Sequence, residues 1–216
     1  MIRDLPAVTM DRLTTEGTLL KKCEDNGKSI VVDEGIKEIC DEAFKGRRAL
    51  QNIQLPKSLE TIGLESFRGC NNLREMEIPE NTLRIGESAF RDCTNMKSLT
   101  VKNNCIKIGE RAFENCALLS KVDLPEGLTE IYGGVFNSCK SLKHIDLPKK
   151  LTILGESAFS DCIALENISI PETVTKIDDL AFNGCISMTK VELQEGLKKI
   201  GKSAFKNCRS MTQIAL

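Results

Sequence analysis

His144, the single histidine of the chain, is the residue whose surroundings most resemble a catalytic site. Asp146 lies two residues further on, and Asp123 and Ser169 lie 23 residues before and after Asp146. Serine, histidine and aspartate together can activate a hydroxyl group for nucleophilic attack. These positions fall on a predicted polar sheet surface, which has no pocket to exclude water or to hold an oxyanion. We therefore predict a solvated histidine, no catalytic residue and no enzymatic activity.

Ten cysteines raise the alternatives of disulfide formation and zinc binding. Zinc sites use closely spaced pairs such as C-x-x-C, and the sequence contains no such pair. Seven cysteines recur at one position of a repeat, where they can pack as small apolar groups. A disulfide between cysteines of neighbouring repeats is geometrically allowed, but the column can pack equally well with its thiols reduced. We predict free thiols in a reducing compartment, with Cys23 and Cys40 the more reactive ones, and neither a metal nor a cofactor.

The eight phenylalanines reveal the repeat that positions all of these residues, because each lies 23 residues from the next. They are Phe44, Phe67, Phe90, Phe113, Phe136, Phe159, Phe182 and Phe205. Seven of them are followed three residues later by a cysteine: Cys70, Cys93, Cys116, Cys139, Cys162, Cys185 and Cys208. A register kept over eight units without an insertion predicts a solenoid of stacked turns.

Each unit contains the pattern L-x-x-I-x-L, as at Leu142, Ile145 and Leu147, and proline follows it in five units. The alternation predicts a short strand with one buried face, which proline ends because it has no N–H group to donate to a ladder. Further along, glycine predicts a sharp bend and the A-F-x-x-C segment a single helical turn. Strands of successive turns should stack in parallel about 4.8 Å apart, so that eight turns extend over about 40 Å.

The complete pattern, L-x-x-I-x-L-P-x-x-L-x-x-I-G-x-x-A-F-x-x-C, resembles the BspA-like leucine-rich repeats over residues 29–216. The resemblance implies an α/β leucine-rich-repeat solenoid, which is a right-handed curved superhelix of about eight 23-residue turns. Short parallel strands would lie on its concave face, and short helical or irregular turns on its convex side. Departures from the pattern are local: Cys40, Tyr132 and Asp178 replace the glycine, and Arg47 replaces the first cysteine.

We divide the chain into an N-terminal lead and hairpin cap, residues 1–28, and the leucine-rich-repeat solenoid, residues 29–216. Residues 18–23 and 29–32 would be the two strands of the cap, because the D-N-G sequence between them is a strong turn signal. Residues 1–12 are compatible both with an extra strand and with a disordered lead.

At the other end, the last strand would have an open edge, which pairs readily with another chain. Apolar residues expected to be exposed there are Phe205, Met211, Ile214 and Leu216. Three explanations of this uncapped edge stay open. The chain is part of a longer protein, it self-associates through this edge, or the edge is tolerated without a polar capping repeat.

Thirty basic and 31 acidic residues give a net charge of −1, so the composition favours neither nucleic acid nor an anionic membrane as a partner. No stretch approaches the roughly 18 apolar residues of a membrane span. The first ten residues are too short and too interrupted for a signal peptide. We expect a cytoplasmic protein, or a surface or secreted one if a leader is missing from this sequence.

The concave sheet is the surface that could recognise a partner, because residues that alternate with the buried ones face outward. Its predicted partner-binding residues are Glu75, Glu77, Lys121, Asp123, His144, Asp146, Lys190 and Glu192. We expect a non-enzymatic protein-interaction module, or scaffold, that presents this rigid polar surface to another protein. The resemblance implies a bacterial or protist source and an alternative function as a cell-surface or extracellular adhesin for host or matrix proteins. A third hypothesis is a structural subunit that assembles end to end.

Overall fold

The computed structural model describes residues 13–24 and 26–215, which wind into a β-solenoid of about nine turns. Parallel strands of successive turns stack in register, and the described residues form no helix. The leucine-rich-repeat solenoid expected from the sequence is therefore confirmed, although the helical part of the α/β class does not occur in this portion of the chain. No helix long and apolar enough to cross a membrane occurs among the described residues.

Eighteen short strands alternate with turns along the described residues. They are β1 (Leu13–Glu16), β2 (Leu19–Cys23), β3 (Ser29–Val31), β4 (Glu38–Ile39), β5 (Asn52–Gln54), β6 (Thr61–Ile62), β7 (Glu75–Ile78), β8 (Arg84–Ile85), β9 (Ser98–Val101), β10 (Lys107–Ile108), β11 (Lys121–Asp123), β12 (Glu130–Ile131), β13 (Ile153–Leu154), β14 (Asn167–Ser169), β15 (Lys176–Ile177), β16 (Lys190–Glu192), β17 (Lys199–Ile200) and β18 (Gln213–Ala215).

The concave ladder is built from the I-x-L part of each repeat. It consists of the sheets β3–β5, β7–β9–β11 and β14–β16–β18. Each residue pairs with the residue 23 positions away, as Ser98 does with Glu75 and Lys121. The apolar residues Met76 and Leu99 are buried while their neighbours point outward, which confirms the predicted alternation.

A second ladder of mostly two-residue strands runs beside the concave one. It consists of β2–β4–β6–β8–β10, to which β1 adds an antiparallel edge, and of β12–β13–β15–β17. In most of the two-residue strands the second residue, such as Ile62 or Ile85, is buried in the core, whereas Ile200 of β17 is 46% exposed. The sequence does not predict this ladder, because two residues are too few to show alternation and the glycine that follows suggests only a bend.

The convex turns take the place of the helical turn expected from A-F-x-x-C. In the turn at Phe44, the N–H groups of Lys45 and Arg47 donate to carbonyls three residues earlier. Glu42, Phe44 and Gly46 instead donate to carbonyls 22 residues later, in the next turn of the solenoid, at 2.7–2.8 Å. A helix cannot form because three of these five N–H groups bond between turns.

Left-handed backbone conformations make this alternation of bonds possible. Glu42 has a φ of 58° and Gly46 a φ of 70°, and the equivalent positions of the other turns also have positive φ values. The second of these positions carries glycine, asparagine, aspartate or serine throughout: Gly46, Gly69, Asp92, Asn115, Ser138, Asp161, Gly184 and Asn207. Most of these residue types enter the left-handed region at little cost, so this column is a sequence signal for the turn.

The core is organised around the phenylalanine column. Rings of successive turns stack with centroids 4.8–5.8 Å apart and planes within 16° of each other. The Cys70 Sγ donates to the carbonyl oxygen of Phe44 at 3.1 Å, and each later cysteine of the column makes the equivalent bond. The thiol therefore fills the core and also satisfies a buried carbonyl group.

A hairpin lies within residues 1–28, but its strands are β1 and β2. The predicted pairing of residues 18–23 with 29–32 is wrong. β2 pairs in parallel with β4, and β3 pairs in parallel with β5. Both segments already stand in register with a ladder of the solenoid, so they form part of its first turn.

The last described turn is more exposed than the central ones. Ile214 is 54% exposed, as expected, whereas Phe205 and Met211 are partly buried against the core. Residues 1–12 and Leu216, on which expectations were also placed, lie outside the described residues. Self-association through β18 stays a prediction.

Candidate functional site

The eight residues predicted to bind a partner lie on the outward side of the concave ladder. They occur in pairs two residues apart: Glu75 and Glu77 on β7, Lys121 and Asp123 on β11, His144 and Asp146 between β12 and β13, and Lys190 and Glu192 on β16. Seven of them are exposed and Lys190 is half-buried. Since successive strand residues point to opposite faces, each pair stands side by side above the buried residue between its members.

Several charges on this face are compensated by a neighbour on the same strand. The Lys121 Nζ lies 3.7 Å from a carboxylate oxygen of Asp123, and Lys190 makes a closer ion pair with Glu192. The hydrogen bond from Lys190 lowers the pKa of the Glu192 carboxyl. Exposed ion pairs of this kind add little to stability, so a partner could replace them with charges of its own.

His144 does not form the catalytic set that its neighbours in the sequence suggest. Its side chain is 66% exposed, and its Nε2 lies 3.9 Å from the Glu166 Oε2. No hydrogen bond among the described residues joins it to Asp123, Asp146 or Ser169. The arrangement offers no serine hydroxyl held for activation, which agrees with the prediction of a solvated histidine.

A shallow depression of about 530 Å³ lies beside His144, where the concave ladder contains no strand. His144, Asp146 and Lys149 contribute charged or polar groups to it, and Ile145 and Ile168 contribute apolar surface. The depression can receive side chains of a partner protein through hydrogen bonds and charge contacts.

A second depression, of about 510 Å³, surrounds Tyr132 beside the second ladder. The tyrosine ring is half-buried, and the Lys107 Nζ lies 5.6 Å from its centre. A hydrogen bond with Glu130 raises the pKa of the Tyr132 hydroxyl. The sequence suggests only a tolerated replacement of glycine here, although a bulky aromatic residue in a glycine column was an available signal.

The cysteines of the repeated column are reduced thiols. Burial raises the pKa of Cys70 to about 12, and burial likewise raises the pKa of Cys105 to about 11. Cys23 is fully buried, so the prediction that its thiol is reactive is wrong. Cys40 is half-buried. Desolvation is the larger cause and the charge of Glu38 the next cause of the raised pKa of its thiol, and this raised pKa lowers the reactivity expected of Cys40.

No group of three histidine, cysteine, aspartate or glutamate side chains within residues 13–24 and 26–215 is arranged to hold a metal ion. The geometry of the cysteine column explains why its thiols do not come together as metal ligands. Its thiols follow one another along the solenoid, one in each turn, and each donates to a phenylalanine carbonyl instead of converging with other thiols.

The sequence profile of BspA type leucine rich repeat regions matches the chain in six copies, over residues 18–143 and 107–216. The two ranges together cover all of the turns described above. No curated protein matches the chain significantly.

Three solved bacterial structures are similar to this solenoid. A leucine-rich repeat protein from Bacteroides ovatus is 31% identical, with a TM-score of 0.81 over 87% of this chain and 48% of that protein. The pneumococcal vaccine antigen PcpA is 26% identical, with a TM-score of 0.56 over 88% of this chain and 50% of that protein. The leucine-rich repeat protein of T. pallidum is 21% identical, with a TM-score of 0.64 over 90% and 83%, and supports the fold alone. This chain spans about half the length of the first two proteins.

Proposed function

The chain belongs to the family of BspA-type leucine-rich repeat regions, and from this premise we propose that it is a non-enzymatic module that binds another protein through its concave face. Leucine-rich repeats generally serve as protein-interaction modules. The observation that carries the proposal is the set of paired, mostly exposed polar side chains along the outward side of the concave ladder. Buried columns fix these strands on the inner side, so the surface is ordered before a partner arrives.

The partner that suits this face is a protein of mixed charge. Lys121 and Lys190 each precede an acidic residue on the same strand, whereas β7 carries two glutamates, so a near-neutral row lies beside an acidic row. The eight proposed contact residues include neither arginine nor an aromatic residue, the types that usually dominate interface hot spots. Binding would therefore rely on hydrogen bonds and charge complementarity, which set specificity and association rate more than affinity.

The test compares two charge-reversed variants. The concave variant carries Asp123→Lys, Asp146→Lys and Glu192→Lys. The convex variant carries Glu87→Lys, Glu110→Lys and Glu156→Lys, which are exposed and begin three convex turns. The net charge of each variant rises by six, so the effect of total charge on nonspecific binding is the same for both. Immobilised wild-type protein first captures partners from a lysate of the source cells and from an extract of host matrix, and the dissociation constant is then measured for each protein.

We expect the dissociation constant of the concave variant to be at least tenfold larger than that of the wild type, which corresponds to about 1.4 kcal/mol. The dissociation constant of the convex variant should change by less than about twofold. Unchanged far-UV circular dichroism would show that both variants are folded. Equal binding by the wild type and the concave variant, or a loss confined to the convex variant, would place the binding surface elsewhere.

A second candidate function is that of a cell-surface or extracellular adhesin. The similarity to the pneumococcal vaccine antigen PcpA, at 26% identity, favours including it. Capture from the cell lysate and capture from the host-matrix extract distinguish these two candidate functions. A partner taken specifically from host matrix supports the adhesin, and one taken specifically from the cell lysate supports the intracellular scaffold expected from the sequence.

A further inference from the structure

Consecutive turns of the solenoid come into backbone contact at the glycine column. A Cβ atom added at Gly86 would lie 2.5 Å from the carbonyl carbon of Gly63, and one added at Gly109 would lie 2.5 Å from the Glu87 nitrogen. The N–H group of this column also donates to the strand of the preceding turn at 2.8–2.9 Å. The residues that make this bond are Cys40, Gly63, Gly86, Gly109, Gly155, Asp178 and Gly201.

Tyr132 is the exception in this column. Its N–H group makes no such bond to Ile108, and no bond joins the Thr129 N–H group to the carbonyl of Ile106. The equivalent bonds of the flanking turns are present, at 3.0 Å from Ile106 to Leu83 and at 2.8 Å from Thr152 to Thr129. Accordingly β8 pairs with β10 and β12 with β13, whereas β10 and β12 lie in different sheets.

The concave ladder is also open between the same two turns, as it is between β5 and β7 and between residues 144–146 and β14, so what sets this joint apart is that both strand ladders are open there. β9 pairs with β11, but residues 144–146 of the next turn form no strand. The Phe113 and Phe136 rings, which face each other across this joint, have centroids 5.8 Å apart, and the other stacked pairs are 4.8–5.5 Å apart. We call the joint between residues 105–123 and 128–146 the seam.

On the convex side the seam is closed. Hydrogen bonds run from Arg111 to Gly133 at 2.9 Å, from Phe113 to Val135 at 3.0 Å and from Asn115 to Asn137 at 2.8 Å. One side of the joint therefore keeps its backbone bonds while both strand ladders have lost theirs. Such a joint bends about its bonded side at lower cost than a joint with three complete ladders.

In the second ladder, the bond is lost where the side chain carries a ring, and not wherever it carries a Cβ atom. Cys40 and Asp178 occupy the same column with a Cβ atom and keep their bonds at 2.9 and 2.8 Å. The Tyr132 ring is held beneath the Lys107 ammonium group of β10, which belongs to the preceding turn. A cation over an aromatic face is attractive, so this contact keeps the ring at the seam.

We propose that the seam is a hinge built by Tyr132, about which the solenoid up to residue 123 and the solenoid from residue 128 bend relative to each other. Bending changes the separation of Asp123 and Asp146, which lie on the concave face on either side of the seam. The hinge thereby adjusts the curvature of the binding face to its partner, a consequence that rests on the proposed function. The hinge itself does not depend on a partner.

The test is amide hydrogen exchange of the whole chain, followed residue by residue by NMR. In the wild type, the amides of Thr129 and Tyr132 should exchange at least about tenfold faster than those of Thr152 and Gly155, their bonded equivalents one turn later. Tyr132→Gly supplies the usual residue of the column and should slow both amides to the level of the equivalents. Tyr132→Asp copies the residue at position 178 and should do the same.

Asp178→Gly is the matched control, because it changes the same column at a joint that is already closed, and it should leave these rates unaltered. The convex amides of Phe113 and Asn115 should stay slow in every variant. Slow exchange of Thr129 and Tyr132 in the wild type, or fast exchange that persists in both Tyr132 variants, would overturn the proposal. Convex amides as fast as Tyr132 would also overturn it, because the seam would then separate completely instead of bending. None of these measurements involves a partner, so they leave the test of the concave face independent.

Discussion

Replacing Phe113 by alanine is the perturbation that most directly probes how the turns hold together. Its side chain is fully buried, and its ring stacks on Phe90 at 5.3 Å and on Phe136 at 5.8 Å. Losing a buried phenylalanine side chain typically costs about 3–5 kcal/mol. That cost includes two stacking contacts, each contributing about 0.5–1.5 kcal/mol beyond the burial of area. Phe205 is only partly buried, and its one described stack is with Phe182.

We therefore expect Phe113→Ala to lower the free energy of unfolding by about 3–5 kcal/mol and Phe205→Ala by about half as much. Equilibrium urea unfolding, followed by far-UV circular dichroism, gives the midpoint and the denaturant slope for each protein. Lys97→Ala, at an exposed position, serves as the surface control and should stay within about 0.5 kcal/mol of the wild type. A Phe113→Ala loss no larger than that of Lys97→Ala would refute the aromatic column as the source of cohesion between turns.

Two further predictions concern the glycine and cysteine columns. Gly86→Ala would place a Cβ atom 2.5 Å from Gly63 and should cost about 1–3 kcal/mol in urea unfolding. Gly127→Ala, where the nearest atom lies 3.7 Å away, should be nearly neutral, and equal costs would contradict the close approach of the turns. Burial raises the pKa of Cys70 from 9.0 to about 12, so the stability that its protonated thiol contributes is present below pH 9 and is lost as the pH rises towards 12. Between pH 8 and 10.5 the wild type should lose about 2 kcal/mol more than Cys70→Ala, and equal losses would show that this thiol is not desolvated.

The 23-residue period was sufficient to predict the solenoid, because a regular register of apolar residues can be buried only by stacking equivalent positions. The same alternation predicted which side chains face outward on the concave ladder, since shifting a strand by one residue would expose its whole apolar face. It therefore placed Asp123 and Lys190 on the polar surface. It also identified the phenylalanine and cysteine columns as packing groups.

Tertiary structure decided the features that depend on bonds between turns. The second ladder, the alternating bonds of the convex turns and the pairing of β2 with β4 all join residues about 20 positions apart, and no local pattern identifies the partners of these bonds. The burial of Cys23 likewise depends on the turn that covers it. Tyr132 shows the difference most clearly. The sequence reveals that it replaces a glycine, but whether the neighbouring turn closes around the side chain, as it does at Asp178, or opens, as at Tyr132, depends on the space that the packed backbones leave for a ring.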